Sequence, residues 1–200
     1  MARLGMVIDL KRCIGCHACT MACKAENATP PGIFWAGVLE KEVGKYPSVK
    51  VTFLPVLCNH CKDAPCEQAC PTGATSKRAD GIVLVDYDKC IGCRACMVAC
   101  PYQARFYYDS EKGYFEEGLT PPEEIGYKKF RVGTVQKCTF CTHRIDQGLE
   151  TACVATCPTK ARYFGNLDDP TSEVSRLIVE RRGFQLRVEI GTDPSVYYLP

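Results

Sequence analysis

Apolar residues fall in short runs bounded by turn formers, and few of these runs keep a helical period. Residues 5–10, 49–54, 81–86 and 162–165 carry β-branched or apolar side chains between turn residues, which predicts short strands. One regular helix is expected late in the chain. Asp169 can cap it, Pro170 suits its first position, Glu173 favours its first turn, and Gly183 can end it after Arg181 and Arg182. Val174, Leu177 and Ile178 form its apolar stripe. The tail beyond, reaching Val196, Tyr197, Tyr198 and Leu199, has too little polarity to prefer solvent and is expected to pack along the core or across a partner. Two longer stretches, 30–50 and 110–134, are rich in Gly, Pro, Glu and aromatics and read as surface insertions that meet partners. Nothing approaches the roughly 20 apolar residues of a membrane span, so the chain is expected to be soluble or held to a membrane by something else.

A chain of 200 residues can bury the core of one or two domains. Its sixteen cysteines change the picture, because that density points to a covalently or metal-stapled fold. They form four groups: Cys13, Cys16, Cys19, Cys23; Cys58, Cys61, Cys66, Cys70; Cys90, Cys93, Cys96, Cys100; and Cys138, Cys141, Cys153, Cys157. The segment CIGCHACTMACK from Cys13 matches CIGCRACMVACP from Cys90 at eight of twelve positions, and Asp9 and Asp86 align upstream of them. CEQACPTGA from Cys66 resembles CVATCPTKA from Cys153, so the motifs run a, b, a, b. Each loop is expected to lead into a short helix carrying the fourth cysteine, with Pro71, Pro101 and Pro158 redirecting the chain.

Disulfides are one reading of so many cysteines, but they need an oxidising compartment and usually a signal peptide. Asp9, Lys11 and Arg12 interrupt the N-terminus before any apolar run of signal length. Zinc also favours CxxC pairs. The repeated CxxCxxCxxxC run, with proline after three of the four groups, is instead a bacterial-ferredoxin pattern, in which three thiolates in a tight loop serve one cubane and the fourth cysteine completes a neighbour. Gly15 and Gly92 would let backbone N–H groups approach cluster sulfurs. Every ligand position is Cys, which argues against three-iron and Rieske centres. His17, His60 and His143 are superfluous as ligands and are read as hydrogen-bonding or surface groups.

The formal charge is +2 with neutral thiols. Sixteen metal-bound thiolates and four oxidised cores would bring the loaded chain to about −6, so the apparent basicity implies no nucleic-acid partner. Lys24, Lys62, Arg94, Lys137 and Arg144 lie beside cysteines, where they would offset cluster charge and raise reduction potentials.

The order a, b, a, b alone permits two pairings of motifs. Only twenty residues separate Cys70 from Cys90, the separation of a compact two-cluster ferredoxin, so the second and third groups read as one module closed around by the first and fourth. Through VIDLKRCIGCHACTMACKAEN, LCNHCKDAPCEQACPTGA, IGCRACMVACPY, KCTFCTHR and CVATCPTKARYFGNLDDP, the whole chain resembles the iron–sulfur B subunits of the dimethyl sulfoxide reductase and polysulfide reductase type. That resemblance implies an α+β fold of two ferredoxin-like modules. The inner spans about 51–109 and the outer 1–29 plus 135–167, with inserts 30–50 and 110–134, and residues 168–200 form a C-terminal helix and a partner-docking tail. It also implies four 4Fe-4S sites: Cys13, Cys16, Cys19 with Cys157; Cys138, Cys141, Cys153 with Cys23; Cys58, Cys61, Cys66 with Cys100; and Cys90, Cys93, Cys96 with Cys70.

No dinucleotide fingerprint, P-loop or nucleophile–base constellation points to catalysis by the chain itself. The resemblance implies a non-catalytic subunit that relays single electrons between a large subunit carrying a molybdenum or tungsten bis-pterin cofactor and a membrane anchor that reacts with quinone. Localisation would then be peripheral and membrane-associated through partners, on either side. The other reading is a self-standing polyferredoxin moving electrons between soluble enzymes.

Overall fold

A computed structural model describes residues 2–200. Its centre is a three-stranded sheet in which β1 (Leu4–Asp9) lies between β8 (Arg162–Asn166), antiparallel to it, and β9 (Val196–Leu199), parallel to it. Met6, Val7 and Ile8 are wholly buried, as are Val196 and Leu199, so both faces of β1 are covered and its run of apolar residues needs no alternation. The apolar tail thus ends as a strand of this sheet.

Among the described residues there are three further two-stranded antiparallel sheets: β2 (Ala36–Lys45) with β3 (Ser48–Leu57), β4 (Thr75–Lys77) with β5 (Val83–Val85), and β6 (Phe106–Tyr108) with β7 (Thr134–Gln136). The 49–54 segment is therefore part of a ten-residue strand whose ten-residue partner occupies the first insertion. Glu40, Lys41 and Glu42 hid that strand, because both faces of the ribbon's outer part stand in solvent and no alternation is imposed on it.

Short helices carry the cysteine loops: α1 (Ala18–Asn27), α2 (Pro65–Gln68), α3 (Ala95–Val98), α5 (Thr142–Ile145) and α6 (Ala152–Ala155), with α4 (Pro121–Tyr127) in the second insertion. The expectation that each helix carries the fourth cysteine is corrected. Cys66, Cys96 and Cys153, the third of each group, sit on α2, α3 and α6, whereas Cys70, Cys100 and Cys157 lie in the turn beyond. Proline follows each of these three, and the residue before a proline is driven out of the helical region. Only Cys23, followed by Lys24, rides inside a helix.

The late helix, α7 (Glu173–Glu180), starts three residues beyond the expected site. Asp169 spends its carboxylate on the Thr171 N–H at 2.8 Å, making a local turn, and Ser172 caps the helix by accepting from Ser175 N at 3.2 Å. Val174 packs on β8 at Gly165, where an added Cβ would lie 3.1 Å from Val174 Cγ2. Among the described residues, no helix is long and apolar enough to cross a membrane.

Candidate metal centres

All four CxxC loops share one backbone device. The residue before the second cysteine is left-handed in each: Gly15 (φ 70°), His60 (42°), Gly92 (68°) and Phe140 (52°). In the a motifs close packing enforces glycine, since a Cβ would stand 2.2 Å from the Phe53 ring at Gly15 and 2.0 Å from the Gly133 carbonyl at Gly92. In the b motifs the space is used instead. The rings of His60 and Phe140 stack with centroids 3.8 Å apart, locking the second cysteine group against the fourth. His60 Nδ1 accepts from Val83 N at 3.1 Å, and burial, aided by the Lys137 and Arg105 charges, holds its pKa well below the ordinary value, so it is neutral.

The aligned aspartates start the a loops. Asp9 Oδ1 accepts from Lys11 N at 3.0 Å while its carbonyl accepts from Cys13 N at 3.2 Å; Asp86 repeats this with Asp88 N at 3.0 Å and Cys90 N at 3.1 Å. Past the fourth cysteine of the b motifs a second pair of donors recurs. Thr75 N donates to Cys70 Sγ at 3.4 Å and Ala161 N to Cys157 Sγ at 3.3 Å, with the hydroxyls of Thr72 and Thr159 at 3.8 Å from the same sulfurs. Burial pushes these two thiols up, but the N–H and hydroxyl donors prevail and hold both below the ordinary value.

The sulfurs gather in fours drawn from two motifs each. Cys13, Cys16, Cys19 and Cys157 line one cavity; Cys58, Cys61, Cys66 and Cys100 line another; and Cys70, Cys90, Cys93 and Cys96 line a third. The remaining four are all buried. There Asn27 Nδ2 reaches Cys23 Sγ at 3.6 Å and Cys141 Sγ at 3.9 Å, and the Cys23 thiol is pushed up to about 12 by burial and by the nearby Cys153 and Cys141. Burial likewise pushes Cys61 up to about 12 and Cys138 well above its usual value. Such thiols become thiolates only beside compensating positive charge.

All sixteen cysteines are free thiols. Among the described residues, no three His, Cys, Asp or Glu side chains come close enough to share a single metal ion. The sulfur sets frame space for a multi-atom core with N–H donors aimed at its ligands, which suits iron–sulfur cubanes and not mononuclear zinc.

Of the five cations expected to serve the clusters, only Lys137 is buried. Its Nζ donates to the carbonyls of Val83 and Cys138. Lys24 ties down the first insertion through the Ile33 carbonyl at 2.9 Å, Arg94 lies 3.7 Å over the Tyr107 ring, Arg144 pairs with Glu26 at 2.9 Å, and Lys62 is exposed. Sequence reasoning missed Arg105 and Arg162, which are 4% and 3% exposed; Arg162 lines the cavity with Cys13, and Arg105 the one with Cys58. A signal was present, since each follows an alanine five residues after a fourth cysteine, in CPYQARF and CPTKARYF. His17 and His143 bind Glu40 at 2.9 Å and Glu26 at 2.7 Å, as surface groups.

Comparison with known proteins agrees with this donor chemistry. Residues 12–74 match a model described as a 4Fe-4S dicluster domain, and residues 49–120 and 116–167 match a second of the same description. A Halobacterium salinarum protein, provisionally named as the iron–sulfur component of a dimethyl sulfoxide reductase, is 47% identical, the alignment covering 100% of this chain and 79% of that one. The arsenate respiratory reductase iron–sulfur subunit of Shewanella sp. is 46% identical over 98% of this chain and 96% of its own. The B component of the selenate reductase of Mesobacillus selenatarsenatis is 44% identical, with 97% and 70% covered. With relatives of this kind aligned along its whole length, the chain belongs to the family of 4Fe-4S electron-transfer subunits that serve molybdopterin-type oxidoreductases.

Proposed function

We propose that the chain holds four 4Fe-4S clusters, on the sets Cys13, Cys16, Cys19, Cys157; Cys23, Cys138, Cys141, Cys153; Cys58, Cys61, Cys66, Cys100; and Cys70, Cys90, Cys93, Cys96. Through them it relays electrons between a catalytic subunit with a molybdenum or tungsten bis-pterin and a quinone-reactive membrane subunit or another carrier. The observation that carries the reading is that three cavities are each lined by four cysteines, three from one motif and the fourth from another. Each cluster, when bound, takes up and releases one electron at a time.

The chain's own part is order and insulation. Cys138 neighbours both Cys23 and Cys58, which supports setting the second and third clusters side by side. Arg162 neighbours Cys19 and Cys153, and Arg105 neighbours Cys66 and Cys96, which supports an order of clusters from the Cys13 set to the Cys90 set. Cys16 and Cys93, in the two terminal sets, are exposed, whereas the inner sets have no exposed cysteine. Electrons would therefore enter and leave at the ends, beside exposed Ile14 and Ile91, and remain dry between them. The inner module of about 51–109 would hold the third and fourth clusters, and residues 1–29 with 135–167 the first and second. Localisation would follow the partners: a peripheral subunit, on the side of the membrane to which the catalytic subunit is delivered.

In the purified complex, Cys157→Ser and Cys13→Ser are expected to alter the same electron paramagnetic resonance signal and spare the other three. If Cys157→Ser altered the signal changed by Cys138→Ser instead, the crossed ligand sets would be wrong. Copurification of a large subunit containing molybdenum or tungsten is expected; isolation as a lone monomer would favour the polyferredoxin reading.

A further inference from the structure

Among the described residues three cations are almost wholly buried: Arg105, Lys137 and Arg162. Among the described residues none of them has a carboxylate within ion-pair distance. A buried charge without a counter-charge is strongly disfavoured, so each must find its anion elsewhere. Lys137 at least spends its donors on two carbonyls. The arginines do not. Arg105 donates from Nη1 to Thr75 Oγ1 at 3.1 Å, leaving Nε and Nη2 without a partner, and Arg162 has only the weak acceptor Met6 Sδ at 3.7 Å for Nη1, with Nη2 unpartnered.

The anions they lack are cysteine sulfurs, and each arginine meets two sets at once. Arg105 lines the cavity of Cys58, Cys61, Cys66 and Cys100 and also feels Cys96 of the next set; Arg162 lines that of Cys13, Cys16, Cys19 and Cys157 and also feels Cys153. Both stand five residues after a fourth cysteine, Arg105 after Cys100 and Arg162 after Cys157, the last cysteines of the proposed inner and outer modules. Resting on the four ligand sets of the proposed function, we infer that Arg105 and Arg162 are gap cations, each set between two consecutive clusters to raise the reduction potentials of both and to weaken the repulsion between them when both are reduced.

The physical reason is electrostatic. Reduction adds a negative charge to a cluster, and a fixed guanidinium in a site of low dielectric stabilises that added charge at both neighbours. Arginine suits the position because it cannot lose its proton and presents several donors in a rigid fork to two anionic faces. The role is one of positioning charge; neither residue carries electrons.

The test is a redox titration of the purified, cluster-loaded complex, followed by electron paramagnetic resonance. In Arg105→Gln, two of the four potentials are expected to fall by at least tenfold in the reduction equilibrium, about 59 mV for one electron, while the other two stay. In Arg162→Gln the pair that stayed is expected to fall instead. Arg105→Lys, which keeps the charge, is expected to recover at least half of the shift. Unshifted potentials with full iron content would overturn the inference, as would an equal shift of all four, or a Lys variant no better than Gln. If Gln loses its clusters and Lys retains them, the requirement for charge stands; if both lose them, the role is structural and the inference fails. Fewer than four reducible clusters in the unaltered complex would sink the four-cluster reading, an outcome distinct from four clusters whose potentials ignore the arginines.

Discussion

Asp9 and Asp86 show how one residue does the same task under different loads. Both tie the N–H groups that follow and anchor the first cysteine of their motif, and the aligned repeats already placed them together. Asp9 is wholly buried and also holds Arg181, while Asp86 sits at the surface with Lys89 at 3.2 Å. Burial opposes ionisation of Asp9, yet Arg181 and the N–H groups of Arg12 and Lys11 hold its carboxyl below the ordinary range. Asp9→Asn is therefore expected to cost about 1–3 kcal/mol, more than Asp86→Asn, as a lowered thermal midpoint. The contribution is full above the unfolded carboxyl value of about 3.9 and is lost as pH falls through the lower folded value, so the gap between wild type and Asp9→Asn should close in that window. A gap that widened on acidification would contradict this. The cysteines, glycines and aspartates were legible because a repeat displays them twice. Arg105 and Arg162 were not, since the repeat has Ala28 and Thr75 at the counterpart positions and nothing local distinguishes a buried arginine from a solvated one; only the fold withdraws it from water.

Elements were legible where local chemistry alone sets them and obscure where tertiary contacts do. Helix α4 in the second insertion was announced by Thr120, Pro121 and Glu123, a capping box in which Glu123 accepts from Thr120 N at 2.7 Å and from Tyr114 N at 2.9 Å. Those residues lay in a stretch read only as a surface insertion, so the cap went unused. Thr120→Ala is expected to weaken the helix by about 1 kcal/mol, read as faster amide exchange over 121–127 with iron content unchanged. In α7 the reverse happened: Asp169 and Pro170 offered a start that the structure does not use, because Asp169 closes its own turn with Thr171 and leaves the cap to Ser172. Ser172→Ala should likewise cost about 1 kcal/mol, whereas Asp169→Ala should leave the helix start in place; equal losses from both would show that the turn and the cap act as one unit. The hairpin of β2 and β3 could not be read at all from its polar strand, because pairing with β3 and not burial defines it.

At the scale of the molecule, the two ends of the chain close on each other. β1 and β9 are paired in parallel across nearly the whole sequence, a non-local contact that no window of residues displays; only the low polarity of the tail hinted that it was not free. Around this pairing Arg3 reaches Asp193 at 3.1 Å and Arg181 returns to Asp9, the residue that anchors Cys13. The closure and the first sulfur set are thereby one structure. Burying Val196 and Leu199 alone contributes roughly 3–6 kcal/mol at about 1.5–3 kcal/mol per fully buried side chain, a large share of the roughly 5–15 kcal/mol that typically separates folded from unfolded domains. Deleting 196–200 should therefore act first on the cluster proposed at Cys13, Cys16, Cys19 and Cys157, because β1 loses its partner where Asp9 begins that loop. The inner module, whose hairpin of β4 and β5 pairs within itself, should keep its iron longer. Iron analysis and resonance spectra of the truncated chain during mild heating would then show one signal fading before the others. Simultaneous loss of all four would mean that the sheet holds the whole molecule and not one end of it, and full retention would mean that β1 and β8 suffice without their third strand.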